Sequence, residues 1–413
     1  MTELLERPRP AVLRGGRLLV VLLAMYVLAV ALFPELRFNN VDLYVYLVAG
    51  DWLWAGESLY DQRIAASLPF NYPPIAALLF SPLSAMPEVL AIGVVQALNI
   101  ALAPMVVWRV LRYLGRPVDG RLLVLAAAGS VFMMFLDSVA VSADLGQINL
   151  VLLALVVFDV LRTSDSRWRG VGIGLAGAIK LTPLLFVPYL LITRQFRAAG
   201  VATGTFLGAI ALGFLIAPSS SAAYWSGSVM SDLTRITPGG VSISGNMSLN
   251  GFLLNSGLSD GTAHTLWLLG SLACVLVTLA LAAMAHRRDN AVLGVALVGL
   301  CTSLVSPFTW GHHWVFCALI TVYLLHHWRR PGHLLTLAVF TLLTLRWARF
   351  GLSWRDFGPS ADRLHDYLLP LLVVLAMPLM WLYLRRSAPV TADQPSEPAP
   401  VGMISADRAA GRR

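Results

Sequence analysis

Long apolar stretches alternate with short polar ones along the whole chain. The apolar runs lie near residues 18–33, 89–108, 121–137, 148–161, 170–179, 181–193, 198–217, 263–285, 291–306, 314–328, 333–347 and 367–384. A helix needs about 20 apolar residues to cross a bilayer, and a chain in lipid must satisfy its backbone internally. The pattern therefore predicts an all-α polytopic membrane protein with about 12 transmembrane helices. Pro74–Pro87 is apolar too, but short and proline-rich, and is not expected to cross. The pair around Lys180-Leu181-Thr182-Pro183 reads as two short helices or one broken helix, because proline removes a helix donor. No internal repeat is visible.

Arginine placement orients these spans. If the N-terminal side is the inside, 22 of the 30 basic residues lie inside and 8 outside, as positively charged cytoplasmic loops require. Inside loops are short. Outside lie residues 34–74, a Ser/Gly/Asn-rich 218–262, a compact 306–314 and an Arg/Asp-rich 346–366. Long loops of this kind carry function or are disordered, so the working face is expected to be extracytoplasmic. Residues 1–17 read as a cytoplasmic arm, 18–385 as one transmembrane domain, and 386–413 as a disordered, proline-rich cytoplasmic tail. The run Leu18–Phe33 has an Arg-rich flank and no small-x-small cleavage site after it, so it reads as a retained anchor.

Composition sharpens the class. The chain of 413 residues is 57% apolar and 13% charged, with mean hydropathy +0.73. Soluble domains carry about a quarter charged residues; this excludes a soluble enzyme, a nucleic-acid-binding module and a disordered scaffold. The net charge of +8 reflects topology and lipid headgroup contact, not a nucleic-acid partner. Cys274, Cys301 and Cys317 sit in apolar runs without metal or CxxC spacing and read as small core residues.

Candidate chemistry gathers at the outer helix mouths. Asp42 opens a stripe of apolar and aromatic residues at 43, 46, 47, 50, 53 and 54. This predicts an amphipathic helix along the membrane surface. Asp42 is either its N-cap or a carboxylate at the water–lipid boundary, where desolvation raises basicity and suits a general base. Asn71 and Tyr72, Gln147 and Asn149, and Asn246 and Asn250 put polar groups at other mouths, readable as caps and turns or as substrate contacts. Lys180 is the only lysine in the chain and lies within an apolar span. A cation there is by default a functional-site residue; it would hold a phosphate or pair with a carboxylate. His312 and His313 adjoin Trp310, and as neutral imidazoles could accept a proton or donate to a phosphate. No DxD or HExxH pattern occurs, so neither a metal nor another cofactor is expected.

Together VDLYVYLVAG, NYPP, GQIN, AIKLTPLLF, NMSLNG and SPFTWGHHW resemble, in this order, the polyprenyl-phosphate-mannose-dependent α-1,2-mannosyltransferases of glycosyltransferase family 87. The resemblance covers about residues 18–385. It implies a GT-C-like fold and an inverting transfer of mannose from polyprenyl-phosphate-mannose to a mannose-containing glycolipid or lipoglycan. It puts the catalytic aspartate at Asp42, the histidine pair at His312 and His313, and the donor phosphate at Lys180. Substrate contacts are expected from Tyr46, Asn71, Tyr72, Gln147, Asn149, Asn246, Asn250 and Trp310. Gly311 precedes the pair where many relatives are expected to carry an acidic or polar residue. Arabinose or glucose on the same carrier, and a lipid or sugar transporter, are the alternatives; a transporter should place its polar groups near mid-membrane and show repeated halves.

Overall fold

Helices follow the apolar runs. The computed structural model describes residues 38–64, 68–163, 165–229, 232, 235, 245–345 and 359–386. The first apolar run, 18–33, and the tail beyond residue 386 lie outside them. Helices α1 (Val41–Ala55), α2 (Pro74–Ser84), α3 (Glu88–Tyr113), α4 (Gly120–Met133), α5 (Asp137–Asp144) and α6 (Asn149–Val160) come first. Next are α7 (Val171–Ile179), a 3₁₀ turn (Thr182–Leu185) running into α8 (Phe186–Ile192), α9 (Phe196–Ile216), α10 (Pro218–Trp225) and α11 (Leu249–Leu254). The series ends with α12 (Asp260–His286), α13 (Ala291–Val305), a 3₁₀ turn (Gly311–Phe316), α14 (Cys317–His326), α15 (His333–Thr344) and α16 (Pro359–Arg386). Among the described residues there is no strand, only two isolated bridges, Arg63–Pro69 and Leu136–Leu345.

Among the described residues, four segments are long and apolar enough to cross a membrane: α3, α9, α12 and Asp366–Arg386 of α16. They expose apolar side chains such as Val89, Leu215, Leu269 and Leu379. That is the inverse of a water-facing surface, and with it the chain is an all-α membrane protein. The other described runs form shorter helices, 15 residues at most in α13. At about 1.5 Å per residue each of these is shorter than the core thickness of about 30 Å. Glycine, proline and polar punctuation split them.

Local chemistry fixes the ends. Asp119 caps α4 through Leu122 N, Ser259 caps α12 through Thr262 N and Asn290 caps α13 through Leu293 N. Small residues set the close packing. A Cβ on Gly174 of α7 would stand 2.5 Å from the Ala202 carbonyl of α9, so those two backbones touch as small-residue faces permit. Gly299 of α13 is likewise filled by the Phe316 ring, which seats the turn carrying the histidine pair.

Helix α1 departs from expectation in two respects. Asn40, in the left-handed region at φ 54, is the N-cap, and Asp42 stands in the first turn. The helix also buries Leu43, Val45, Tyr46, Leu47, Ala49, Gly50 and Leu53, which wrap most of its circumference. It packs into the protein against α2, where Gly50 sits on Ser81 and Ser84. Trp54, the last position of the apolar stripe, is exposed.

Candidate active site

The start of α1 and the turn after α5 are hydrogen-bonded as one unit. Asn40 N donates to the Asp144 carbonyl at 2.8 Å, and the Asp42 and Leu43 amides donate to the Leu145 carbonyl at 3.1 and 3.2 Å. Gln96 of α3 pins the junction, donating to Asn40 Oδ1 at 2.7 Å and the Ala143 carbonyl at 2.9 Å. Gly146 has φ +67, and a Cβ there would meet the Leu43 Cβ at 2.7 Å. Only glycine fits.

Gln147 is the hub of the site. The Tyr46 hydroxyl donates to its Oε1 at 2.8 Å and the Tyr72 hydroxyl at 3.3 Å, while the two phenols bond each other at 2.8 Å. Gln147 also makes a side-chain hydrogen bond with Asp42; its amide NH₂ is the end that donates to a carboxylate. Asn149 carries the link onward: its Nδ2 donates to the His312 carbonyl at 3.1 Å, and its Oδ1 accepts from Lys180 Nζ at 3.2 Å. The lysine ammonium stands 5.7 Å from the Tyr72 ring centre. The ring of Tyr46 is fixed by stacking on Phe80 at 4.2 Å.

Burial pushes the Asp42 carboxyl above its ordinary 3.8, and the Gln147 hydrogen bond and the Lys180 charge oppose the rise without cancelling it. Burial, and next the Lys180 charge, push His312 and His313 well below 6.5. Both imidazoles are therefore neutral, beside a carboxylate of increased basicity.

The histidine loop is braced from behind. Asn246 Oδ1 accepts from Thr309 N at 3.1 Å and from the Ser248 hydroxyl at 2.8 Å. The Asn246 and Asn250 side-chain amides donate to the Pro307 carbonyl at 3.3 and 3.0 Å. The Ser303 hydroxyl donates to the His313 carbonyl at 2.9 Å, and Trp310 N donates to His313 Nδ1 at 3.2 Å. The structure thus joins Asp42, Tyr46, Tyr72, Gln147, Asn149, Lys180, His312 and His313 in one cluster. Asn246, Asn250 and Trp310 belong to the brace of its loop, and Asn71 is exposed beside Tyr72.

One carboxylate escapes sequence reading. A Cβ at residue 311 would lie 3.2 Å from Asp137 Oδ2. An acid from the first turn of α5 therefore lies against Gly311, supplying from elsewhere in the chain the polarity expected at position 311 itself. Nothing in DSVAVSAD distinguishes it from an ordinary helix start. Among the described residues no group of three or more His, Cys, Asp or Glu side chains is arranged to hold a metal.

The sequence profile of glycosyltransferase family 87 matches residues 70–307. A polyprenol-phosphate-mannose-dependent alpha-(1-2)-phosphatidylinositol mannoside mannosyltransferase of Mycobacterium tuberculosis is 31% identical over 75% of this chain and 76% of its own. Its namesake from Mycolicibacterium smegmatis is 31% identical over 68% of this chain and 69% of its own. A phosphatidylinositol pentamannoside mannosyltransferase of the latter organism, with the same named donor and linkage, is 32% identical over 77% and 78%. By these matches this all-α membrane protein is a glycosyltransferase. The chain belongs to glycosyltransferase family 87.

Proposed function

We propose that this chain is an inverting α-1,2-mannosyltransferase that moves mannose from polyprenyl-phosphate-mannose to a hydroxyl of a mannose-containing glycolipid or lipoglycan. It works as a multi-pass protein of the cell membrane, with residues 18–385 as a single transferase domain of GT-C-like fold, about 12 crossings and an extracytoplasmic site. The relatives' named donor and acceptors support the substrates. One observation carries the chemistry: the Asp42 carboxylate and the Lys180 ammonium flank the pair Gln147 and Asn149, which hold them in one frame.

In this reading Asp42 takes the proton of the acceptor hydroxyl as its oxygen bonds to the anomeric carbon of mannose. The bond from that carbon to the phosphate oxygen breaks on the opposite face, and its electron pair leaves with the polyprenyl phosphate. A positioned base of this kind contributes about 10²–10⁴-fold. Lys180 balances the charge developing on the phosphate, and the imidazoles relay the proton or steady that phosphate. Tyr46, Tyr72 and Gln147 fix the base and line its approach.

The test is a donor panel. Purified protein is offered mannosyl, arabinosyl and glucosyl lipid phosphates with a phosphatidylinositol mannoside acceptor, followed by linkage analysis. A mannosyl product with an α-1,2 bond is expected. Exclusive use of the arabinosyl or glucosyl donor overturns the sugar assignment, and movement of intact lipid without transfer overturns the enzyme mechanism.

A further inference from the structure

The cluster around Gln147 occupies one end of α6 and α7, and a second polar cluster occupies the other. Helix α6 begins at Asn149 and ends at Val160, about 18 Å away, and α7 returns from Val171 to Lys180 at its C-cap. At the far end Arg169 caps α6, its Nη1 donating to the Arg162 carbonyl and its Nη2 to the Val160 carbonyl, both at 2.9 Å. Asp159 caps α7 in return: one oxygen accepts the Gly170 amide at 2.7 Å, the other the Ile173 amide at 2.9 Å. The guanidinium is thus held by carbonyls, and the nearby carboxylate is spent on amides.

Two buried donors in this corner have no acceptor among the described residues, the Arg169 Nε–H and the Tyr189 hydroxyl. Arg169 is 8% exposed and Tyr189 0%. Burial lowers the pKa of Arg169 below its ordinary 12.5, and Tyr189 leads the groups that oppose the fall, ahead of Asp159 and Tyr113. Around them Arg109, Arg162, Arg169 and Arg287 outnumber the carboxylates of Asp159 and Asp289. A Cβ at Gly294 of α13 would stand 3.1 Å from the Tyr189 hydroxyl and 3.5 Å from the Ala282 carbonyl, so glycine there keeps the flank of the hydroxyl open.

Buried donors are almost always satisfied by protein, water or an ion. Water would answer them while adding protons of its own to an already positive corner. An anion supplies acceptor and charge together. Because both donors are sealed from solvent, a monatomic ion fits between them and a tetrahedral oxyanion does not.

We propose that a small inorganic anion of the chloride class binds between the Arg169 guanidinium and the Tyr189 hydroxyl, beside Gly294, and ties α6, α7, α8 and α13 together at the end remote from Asp42. The inference is independent of the transferase reading above.

The detergent-solubilised full chain is freed of halide in sodium gluconate, and its thermal unfolding is followed as chloride, bromide or phosphate replaces gluconate at constant ionic strength. Chloride and bromide are expected to stabilise it saturably, the folded-to-unfolded ratio rising about 100-fold at 100 times the dissociation constant. Phosphate should give no saturable rise. Tyr189→Phe keeps the ring and removes one donor, so it should lower the unfolding temperature in chloride but not in gluconate. It should also weaken chloride binding about 10–100-fold, as loss of a hydrogen bond to a charged partner predicts. Crystals of the parent chain grown in bromide should scatter anomalously at hydrogen-bonding distance from both donors.

Unfolding that ignores chloride, or bromide crystals without that peak, leaves at most a water between the donors and overturns the proposal. Phosphate binding as tight as chloride overturns the monatomic assignment. A chloride response unchanged in Tyr189→Phe puts the ion elsewhere and overturns the site. The bromide peak is read on the parent chain, so it decides the matter even if the variant does not fold.

Discussion

The Lys180 ammonium donates to Asn149 Oδ1 at 3.2 Å, from the break between α7 and the turn before α8 to the first residue of α6. The other end of the same asparagine amide holds the histidine loop at the His312 carbonyl. A single side chain therefore sets the distance between the cation and the imidazoles. Asn149→Ala should leave the buried His312 carbonyl short of a partner, at about 1–3 kcal/mol, and the half-buried ammonium short of one at a smaller cost. A fall in both unfolding temperature and transfer rate is expected; unchanged values for both would contradict a positioning role.

Asp42→Asn should cut transfer by about 10²–10⁴-fold while leaving the fold intact, because the amide keeps the shape and loses the basicity. The check is a radiolabelled-donor assay in membranes, paired with thermal unfolding in detergent. Near-parental activity removes Asp42 as base.

The raised affinity of Asp42 for protons gives a pH signature. The ionised form is the active one, so activity falls as pH drops through a midpoint lying above 3.8. Lys180 holds that midpoint down, and Lys180→Met should move the acid limb to higher pH. The residual activity of the variant, followed across pH, decides this; a limb that stays in place, or moves down, uncouples the two residues.

The motifs were legible in the sequence, and so was their gathering at helix mouths. The brace role of Asn246 and Asn250 was not, because an amide that bonds a backbone carbonyl and one that bonds a sugar look alike in sequence. Asp137 was hidden for a different reason: its meaning depends on Gly311, far along the chain, having no side chain. The stripe on α1 predicts a helix laid along the membrane surface, whereas five of its six positions are buried in the protein, with α2 packed against Gly50. Pattern reveals that a face is apolar and does not say which apolar body covers it.

Gly146→Ala tests the joint beneath the base. The new Cβ would meet Leu43 at 2.7 Å on a backbone of φ +67, and strain plus overpacking predict about 1–3 kcal/mol of destabilisation. Activity should fall further than stability alone requires, since the start of α1 carries Asp42. Unfolding temperature and turnover, measured together, check the pairing.

Asn250→Ala removes one bond to the Pro307 carbonyl, while Asn246→Ala removes the partner of Thr309, Ser248 and Pro307 at once. A loss of about 1 kcal/mol is expected for Asn250 and a larger one for Asn246. Reversed magnitudes in equilibrium or thermal unfolding would rule out the bracing assignment.

Lys180 is the chain's sole lysine, and it borders a cleft. Every other cationic side chain that holds its charge at neutral pH is an arginine, so reagents that acylate or reductively methylate side-chain amines have a single target. Chemical labelling thereby becomes an occupancy gauge without mutagenesis: a bound ligand shields that amine, and its slower modification reports residence in the cleft of an otherwise unaltered enzyme.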